Sequence, residues 1–355
     1  MIVNARVPLA LAALVVLALP SAARSDPQKV GYPSSIAAIG DSITKAYNTE
    51  RRPFTDGPAY SWSTGTRGAV QSAYLRILAA NPLVRERRAN VAKDGARMRD
   101  LVIQVETAIP VRPDYLTIML GANDVCRPSQ AAMTPVALLR SQLEAGMRML
   151  SARLPDARIQ VVSIPDVHRL WSLFRGSLVA RTVWRLGGIC ASLLQRPGST
   201  AKADEARRAR VRARTMALNR QLSEVCAQYI HCRYDGGAVY GTPFAKGDVS
   251  SRDYFHPSRT GQAKLAAIVW GATFDFRDTT APVSVPLVAP AVGGVSVSFT
   301  AADDKGVAGV EYRLGGGAWS RYRYTTPVLV ASGQTIEHRA VDVNGNIEAS
   351  RLLIA

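Results

Sequence analysis

A chain of 355 residues that is 47% hydrophobic and 20% charged has room for two globular domains, which excludes a disordered or fibrous polypeptide. Its formal charge of +17 points to anionic lipid headgroups, to acidic wall polymers, or simply to an arginine-rich solvated surface. For an exported chain, which the first residues suggest, nucleic acid is set aside as a partner.

The chain opens "MIVNARVPLALAALVVLALPSAARSDP". Arg6 supplies a positive start, Leu9 to Leu19 is an apolar run too short to span a bilayer comfortably, Pro20 breaks it, and Ser21-Ala22-Ala23 offers a cleavage site. Residues 1–23 therefore read as a secretory signal peptide, with an uncleaved membrane anchor as the alternative, and the mature protein is expected to be secreted. Five β-rich runs follow: "SIAAIG" (35–40), "RRANVAK" (87–93), "DYLTIMLG" (114–121), "RIQVVSIP" (158–165) and "HCRYDG" (231–236). Helical patterns lie between most of them. Residues 68–80 align Val70, Tyr74, Leu75 and Leu78, and residues 135–154 align Leu138, Leu139, Leu143, Met147 and Leu150. Alternating strands and helices predict an α/β fold: a parallel sheet with helices on both faces, its reactive residues at the carboxyl ends of strands.

Residues 168–200 break the rhythm, with Leu170, Trp171, Phe174, Leu178 and Trp184 at helical spacing among Arg175, Arg181 and Arg185. This stretch reads either as a wall or lid beside a site, in which case Trp171 and Phe174 bind substrate, or as a core helix pair. Residues 202–226 predict a long helix with six arginines between Arg207 and Arg220, a solvated basic face or a lipid contact. Residues 277–294 read as a linker or first edge strand. Beyond them, "VSVSFTA", "GVEYRL", "RYRYT", "PVLVA" and "TIEHRAVDV", separated by turns, predict a small all-β sandwich.

In an oxidising compartment the four cysteines, Cys126, Cys190, Cys226 and Cys232, suggest two disulfides. Three pairings exist. The closeness of 226 to 232 favours 226–232 with 126–190, and the absence of a CxxC pair counts against zinc.

Serine is a weak nucleophile without a base, an orienting partner and donors for the oxyanion. Ser42, in "GDSIT", follows the first strand. His256, in "SRDYFHPSRTG", has Asp253 three residues before it, on a turn ahead of a final helix. Gly95 and Asn123 follow the second and third strands, where a backbone N–H and a side-chain amide can reach one point. Each block alone is an ordinary turn.

Together, "GDSIT", the Gly95 block, "GAND" and "DYFHPS" resemble the four sequence blocks of the SGNH (GDSL) hydrolases. The resemblance implies a flavodoxin-like three-layer α/β/α hydrolase domain over 33–276. Ser42 would be the nucleophile, His256 the base and Asp253 its partner, with Ser42, Gly95 and Asn123 as the oxyanion hole. Asp41 would be a turn residue. No cofactor and no metal are implied. "SWSTG", "GARMRDLVIQ" and the cysteine after "GAND" are similar to the phospholipase B-like branch, which implies a lipid or phospholipid ester as substrate. Residues 277–355 resemble the bacterial Ig-like modules of secreted enzymes. The expectation is a monomeric, secreted carboxylic-ester hydrolase that works through an acyl-enzyme, with a lipid ester as partner and an anionic membrane or cell wall as a further surface. The alternatives are a carbohydrate deacetylase with a glycan-binding β module, and an inactive surface-binding protein.

Overall fold

The computed structural model describes residues 26–355, so the expected signal peptide lies outside the described residues. Strands β1 (Ile36–Gly40), β3 (Tyr115–Met119) and β4 (Arg158–Val161) are buried along their whole length, which is why they read as nearly unbroken apolar runs. Strands β2 (Arg88–Asn90) and β5 (Cys232–Tyr234) are shorter and partly exposed, as edge strands are. All five are parallel, in the order β2-β1-β3-β4-β5. In this doubly wound order the chain changes direction between β1 and β3, and the crevice beyond their carboxyl ends is where ligands bind.

Helix α1 (Ala73–Ala80) starts later than the apolar pattern from residue 68 suggests. Gln71 takes a left-handed turn and the Ser72 hydroxyl then caps the helix by accepting from Leu75 N–H. Helix α2 (Leu101–Ala108) and the short α3 (Ala122–Val125) follow β2 and β3. Helix α4 (Val136–Arg153) buries Leu139, Leu143, Met147 and Leu150 as expected, but Leu138 faces solvent. The segment after β4 forms α5 (Val167–Phe174), α6 (Leu178–Leu186) and α7 (Ala191–Leu194). Helix α8 spans Lys202–Cys226, as the sequence predicts.

The arginines of α8 are not one solvated face. Arg207 is buried, paired with Asp204 and donating to the carbonyls of Ser192, Leu193 and Gln195. Arg208 is buried with its guanidinium 4.2 Å from the centre of the Trp171 ring, and it donates to Ser199 O. Both satisfy carbonyls of α7 and of the segment between α7 and α8. Helices α9 (Ala238–Gly241) and α10 (Arg259–Ala272) complete this part, α10 capped by Ser258.

The C-terminal part holds β6 (Val283–Ala291), β7 (Gly294–Ala302), β8 (Val307–Leu314), β9 (Ser320–Arg321), β10 (Val328–Ala331), β11 (Thr335–Asp342) and β12 (Arg351–Ile354). They form two antiparallel sheets, β10-β7-β6 and β12-β11-β8-β9, around Val297, Phe299, Val310, Val330 and Ile336. Of the linker and edge-strand readings of residues 277–294, the edge strand holds: β6 has nine residues and lies at the edge of its sheet. The cysteines pair as Cys126–Cys190 and Cys226–Cys232.

Candidate active site

The turn after β1 requires glycine at position 40. A Cβ there would lie 2.2 Å from the Thr44 hydroxyl and 3.1 Å from Met119 O. Buried Gln104 on α2 braces the same residue, accepting from Gly40 N–H and donating to Gly40 O, each at 2.9 Å. Asp41 closes the turn, its carboxylate accepting from Ile43 N–H at 2.9 Å. Ser42 is therefore held where the strand ends, nearly buried, with its hydroxyl turned toward the loop before α10.

That loop is shaped by Asp253. Its Oδ1 accepts the amides of Phe255 (2.9 Å) and His256 (3.0 Å). Its Oδ2 accepts from His256 Nδ1 (2.7 Å) and from the Asn48 side-chain amide (2.5 Å). With Nδ1–H committed to the carboxylate, Nε2 is left as an acceptor, and Ser42 Oγ lies 2.8 Å from it. Burial works to raise the Asp253 pKa. The hydrogen bond and charge of His256, with the two amides, outweigh it and hold the carboxyl below its ordinary value. Asp253 is thus ionised where it meets His256. Gln262 on α10 ties the two loops together, donating to Ile43 O at 2.8 Å and accepting from Trp62 N–H at 3.0 Å.

Gly95 sits in a left-handed turn (φ +71°), a conformation that favours glycine. Among the described residues neither the Gly95 nor the Ser42 amide N–H has an acceptor. Asn123, at the start of α3, donates to Ala96 O at 3.1 Å and more weakly to Asp41 Oδ2 at 3.4 Å. Asp41 is thereby a structural brace for both the turn and Asn123. Burial pushes its carboxyl up to about 7 against the Ile43 N–H and the His256 charge, while Asp124 and Asp94 act in the same direction as burial.

Sequence reading identified Ser42, Asp253 and His256, which the structure brings together. It missed Asn48, Gln104 and Gln262, whose only signal would have been single amides within otherwise unremarkable segments. Of the two readings held for residues 168–200, the substrate wall fails for Trp171 and Phe174 and the core packing holds: Trp171 is buried under Arg208 with its indole N–H on Pro197 O, and Phe174 is buried edge-on to Trp184 and Tyr254. Leu170 and Leu173 line a mostly apolar cavity of about 70 Å³ with Ile43, Ala122, Phe255 and Phe244; Ser42, Asn123 and His256 are not part of its lining, to which only their chain neighbours belong.

Outside this crevice, carboxylate oxygens of Asp278, Asp303 and Asp342 lie within 4.8 Å of one another in the C-terminal part. Each carboxylate already accepts from backbone or side-chain N–H groups of the chain itself. No helix among the described residues is long and apolar enough to cross a membrane.

A parallel doubly wound sheet with a hydrogen-bonded serine, histidine and aspartate at its carboxyl edge defines the class of serine hydrolases. The model of the GDSL-like Lipase/Acylhydrolase family matches residues 36–269, and the chain belongs to that family; it is a carboxylic ester hydrolase. No curated protein matches the chain. Solved structures with a similar course include an extracellular lipase from Streptomyces rimosus (19% identity, TM-score 0.42, covering 67% of this chain and 99% of that one). A phospholipase A1 from Streptomyces albidoflavus NA297 is similar at 17% identity and TM-score 0.41, over 69% and 100% of the two chains. A two-domain esterase active on acetylated mannans is similar at 11% identity and TM-score 0.35, over 90% and 85% of the two chains.

Proposed function

We propose that the protein is an exported esterase that cleaves lipid or phospholipid acyl esters through an acyl-Ser42 intermediate. The observation that carries this reading is the unbroken chain Ser42 Oγ, His256 Nε2, His256 Nδ1, Asp253 Oδ2, at 2.8 and 2.7 Å. In the first half-reaction the Ser42 proton passes to His256 Nε2 as Oγ bonds to the acyl carbon. The Ser42 and Gly95 amides, with the Asn123 side chain, receive the oxyanion. The ester C–O bond then breaks, and His256 returns its proton to the leaving alcohol. In the second half-reaction water repeats the sequence on the acyl-enzyme, releasing the carboxylic acid.

An apolar cavity lined by Leu170, Leu173, Ile43 and Phe255, the last two being chain neighbours of Ser42 and His256, supports an acyl chain rather than a sugar as the substrate group. Two disulfides support an oxidising compartment. The test is a p-nitrophenyl ester series from acetate to palmitate and a set of phospholipids, with Ser42→Ala as blank. Activity that persists into longer acyl chains supports the reading. A sharp fall beyond acetate would transfer the enzyme to the deacetylases, and failure of a fluorophosphonate to label Ser42 would remove the acyl-enzyme altogether.

A further inference from the structure

We propose that the outer face of the α5–α6 hairpin docks the protein on an anionic phospholipid bilayer, an inference that rests on the lipid-ester reading above. Helix α6 is apolar on two sides. Ala180 and Trp184 are buried against the protein. On the opposite arc Leu178, Val179 and Leu186 are 70%, 59% and 83% exposed, with Thr182 and Arg185 between them at helical spacing. A surface helix ordinarily turns polar residues outward. Single exposed leucines are unremarkable, but three large aliphatic side chains on one short helix make a patch.

The charge around the patch selects the partner. Residues 167–200 contain five arginines, Arg169, Arg175, Arg181, Arg185 and Arg196, and no aspartate or glutamate. Such a surface repels a second copy of a chain whose net charge is +17. It suits a layer that offers hydrocarbon below and phosphate above, because aliphatic side chains enter the acyl boundary while arginines stay at headgroup level.

The location ties this face to the reaction. Trp184 donates to Tyr254 O at 3.1 Å, and Phe174 packs edge-on against the Tyr254 ring at 5.3 Å, one residue from Asp253. On α5, Leu170 and Leu173 line the cavity beside Ile43 and Phe255. The Cys126–Cys190 disulfide ties the exit of the hairpin to the turn that carries Asn123. A bilayer seated on α6 therefore lies against the same helix pair that contributes Leu170 and Leu173 to this apolar cavity.

The test measures binding apart from hydrolysis. Full-length Ser42→Ala protein is sedimented with vesicles of phosphatidylglycerol or of phosphatidylcholine. Preferential binding to phosphatidylglycerol is expected, with a loss of about tenfold or more in partitioning for Leu178→Asp/Leu186→Asp and for Arg175→Glu/Arg185→Glu. In the protein with Ser42 intact, the same pairs are expected to leave kcat/KM for soluble p-nitrophenyl acetate within about twofold of the parent, which reports folding and the site together. Equal partitioning of parent and both variants, or no preference for the anionic vesicles, overturns the proposal. So does a dimer in sedimentation velocity that Leu186→Asp dissolves, since the face then belongs to a second copy. Vesicle binding without hydrolysis of any long-chain ester supports the docking face while refuting the lipid-ester reading.

Discussion

Asn48 gives the sharpest test of how the site is held. Its side-chain N–H donates to Asp253 Oδ2 at 2.5 Å, and its own Oδ1 accepts from Phe54 N–H at 2.7 Å. Its backbone is left-handed at φ +67°. Asparagine tolerates that conformation, whereas alanine loses ~1–2 kcal/mol there. Asn48→Gly therefore removes the side chain without backbone strain, and Asn48→Ala adds the strain. A hydrogen bond to an ionised group contributes about 1.5–3 kcal/mol. If that stabilisation is felt where Asp253 faces the imidazolium, kcat falls between about tenfold and about 150-fold. KM should hold within about twofold, because Asn48 acts through Asp253 and not on the substrate. Steady-state hydrolysis of p-nitrophenyl acetate measures both constants, and thermal unfolding separates the alanine from the glycine variant by the strain. If Asn48→Gly leaves kcat within about twofold of the parent, the fourth donor on Asp253 is dispensable and the reasoning fails.

Three further outcomes follow from the same geometry. Asn123→Ala should lower kcat about 10²–10³-fold with an unchanged Tm, and retention of full kcat removes Asn123 from the oxyanion hole. Asp41 has a folded-state pKa of about 7 against 3.8 when unfolded, so between these values the folded chain holds a proton that the unfolded chain has released. Stability then declines as pH rises through that window and levels off above it. Asp41→Asn, which keeps an acceptor for Ile43 N–H, should gain Tm relative to the parent as pH rises from about 4 to about 7. A pH-independent difference in Tm contradicts this. The Cys126–Cys190 bridge spans 64 residues and Cys226–Cys232 spans 6. By loop entropy their removal costs about 4 and about 2 kcal/mol. The Cys126→Ala/Cys190→Ala protein should therefore melt below Cys226→Ala/Cys232→Ala, and the reverse order refutes the entropic ranking.

The elements that were legible are those whose whole signal is local. β1, β3 and β4 are buried on both faces, so their apolar runs survive in the primary structure. Helix α8 runs from Lys202 to Cys226 with Asp204 and Glu205 in its first turn, favourable to the helix dipole, and no proline or glycine inside. Helix α2 was missed: at its start the Asp100 side chain makes no capping bond, and "LVIQVETA" reads equally as a buried strand. Ser42, Asp253 and His256 were legible because each sits in a block of unusual composition. Gln104 and Gln262 were not. A polar residue in a helix reads as surface, and nothing local reveals that Gly40 and Ile43 supply their partners. Trp171 shows the same limit from the other side. Its side of α5 is decided by Arg208, 37 positions later, whose guanidinium covers the ring. Arg207 and Arg208 in turn read as solvated, because their acceptors are carbonyls of residues 192–199.

The two ends of the parallel sheet have different work, and the C-terminal strands are docked on the end away from Ser42. Arg158 is the first residue of β4, and its guanidinium donates to Gly31 O, Gly345 O and Asn346 Oδ1 at 2.5–2.9 Å while stacking on Phe276. Burial lowers its pKa to about 10, so at neutral pH it carries a charge satisfied by these acceptors. His231, just before β5, meets Glu311 at 3.3 Å, and Asp156, just before β4, pairs with Arg339 and Lys29. Every one of these contacts is at the amino ends of the strands. Ser42, Gly95 and Asn123 follow the carboxyl ends, roughly 17 Å away along a five-residue strand. A sheet module in that position does not reach the group bonded to Ser42, which weakens any reading in which it presents a glycan to the site. The α5–α6 segment is tied instead to the loops at the carboxyl ends, through Trp184 N–H on Tyr254 O and through Cys190 bonded to Cys126.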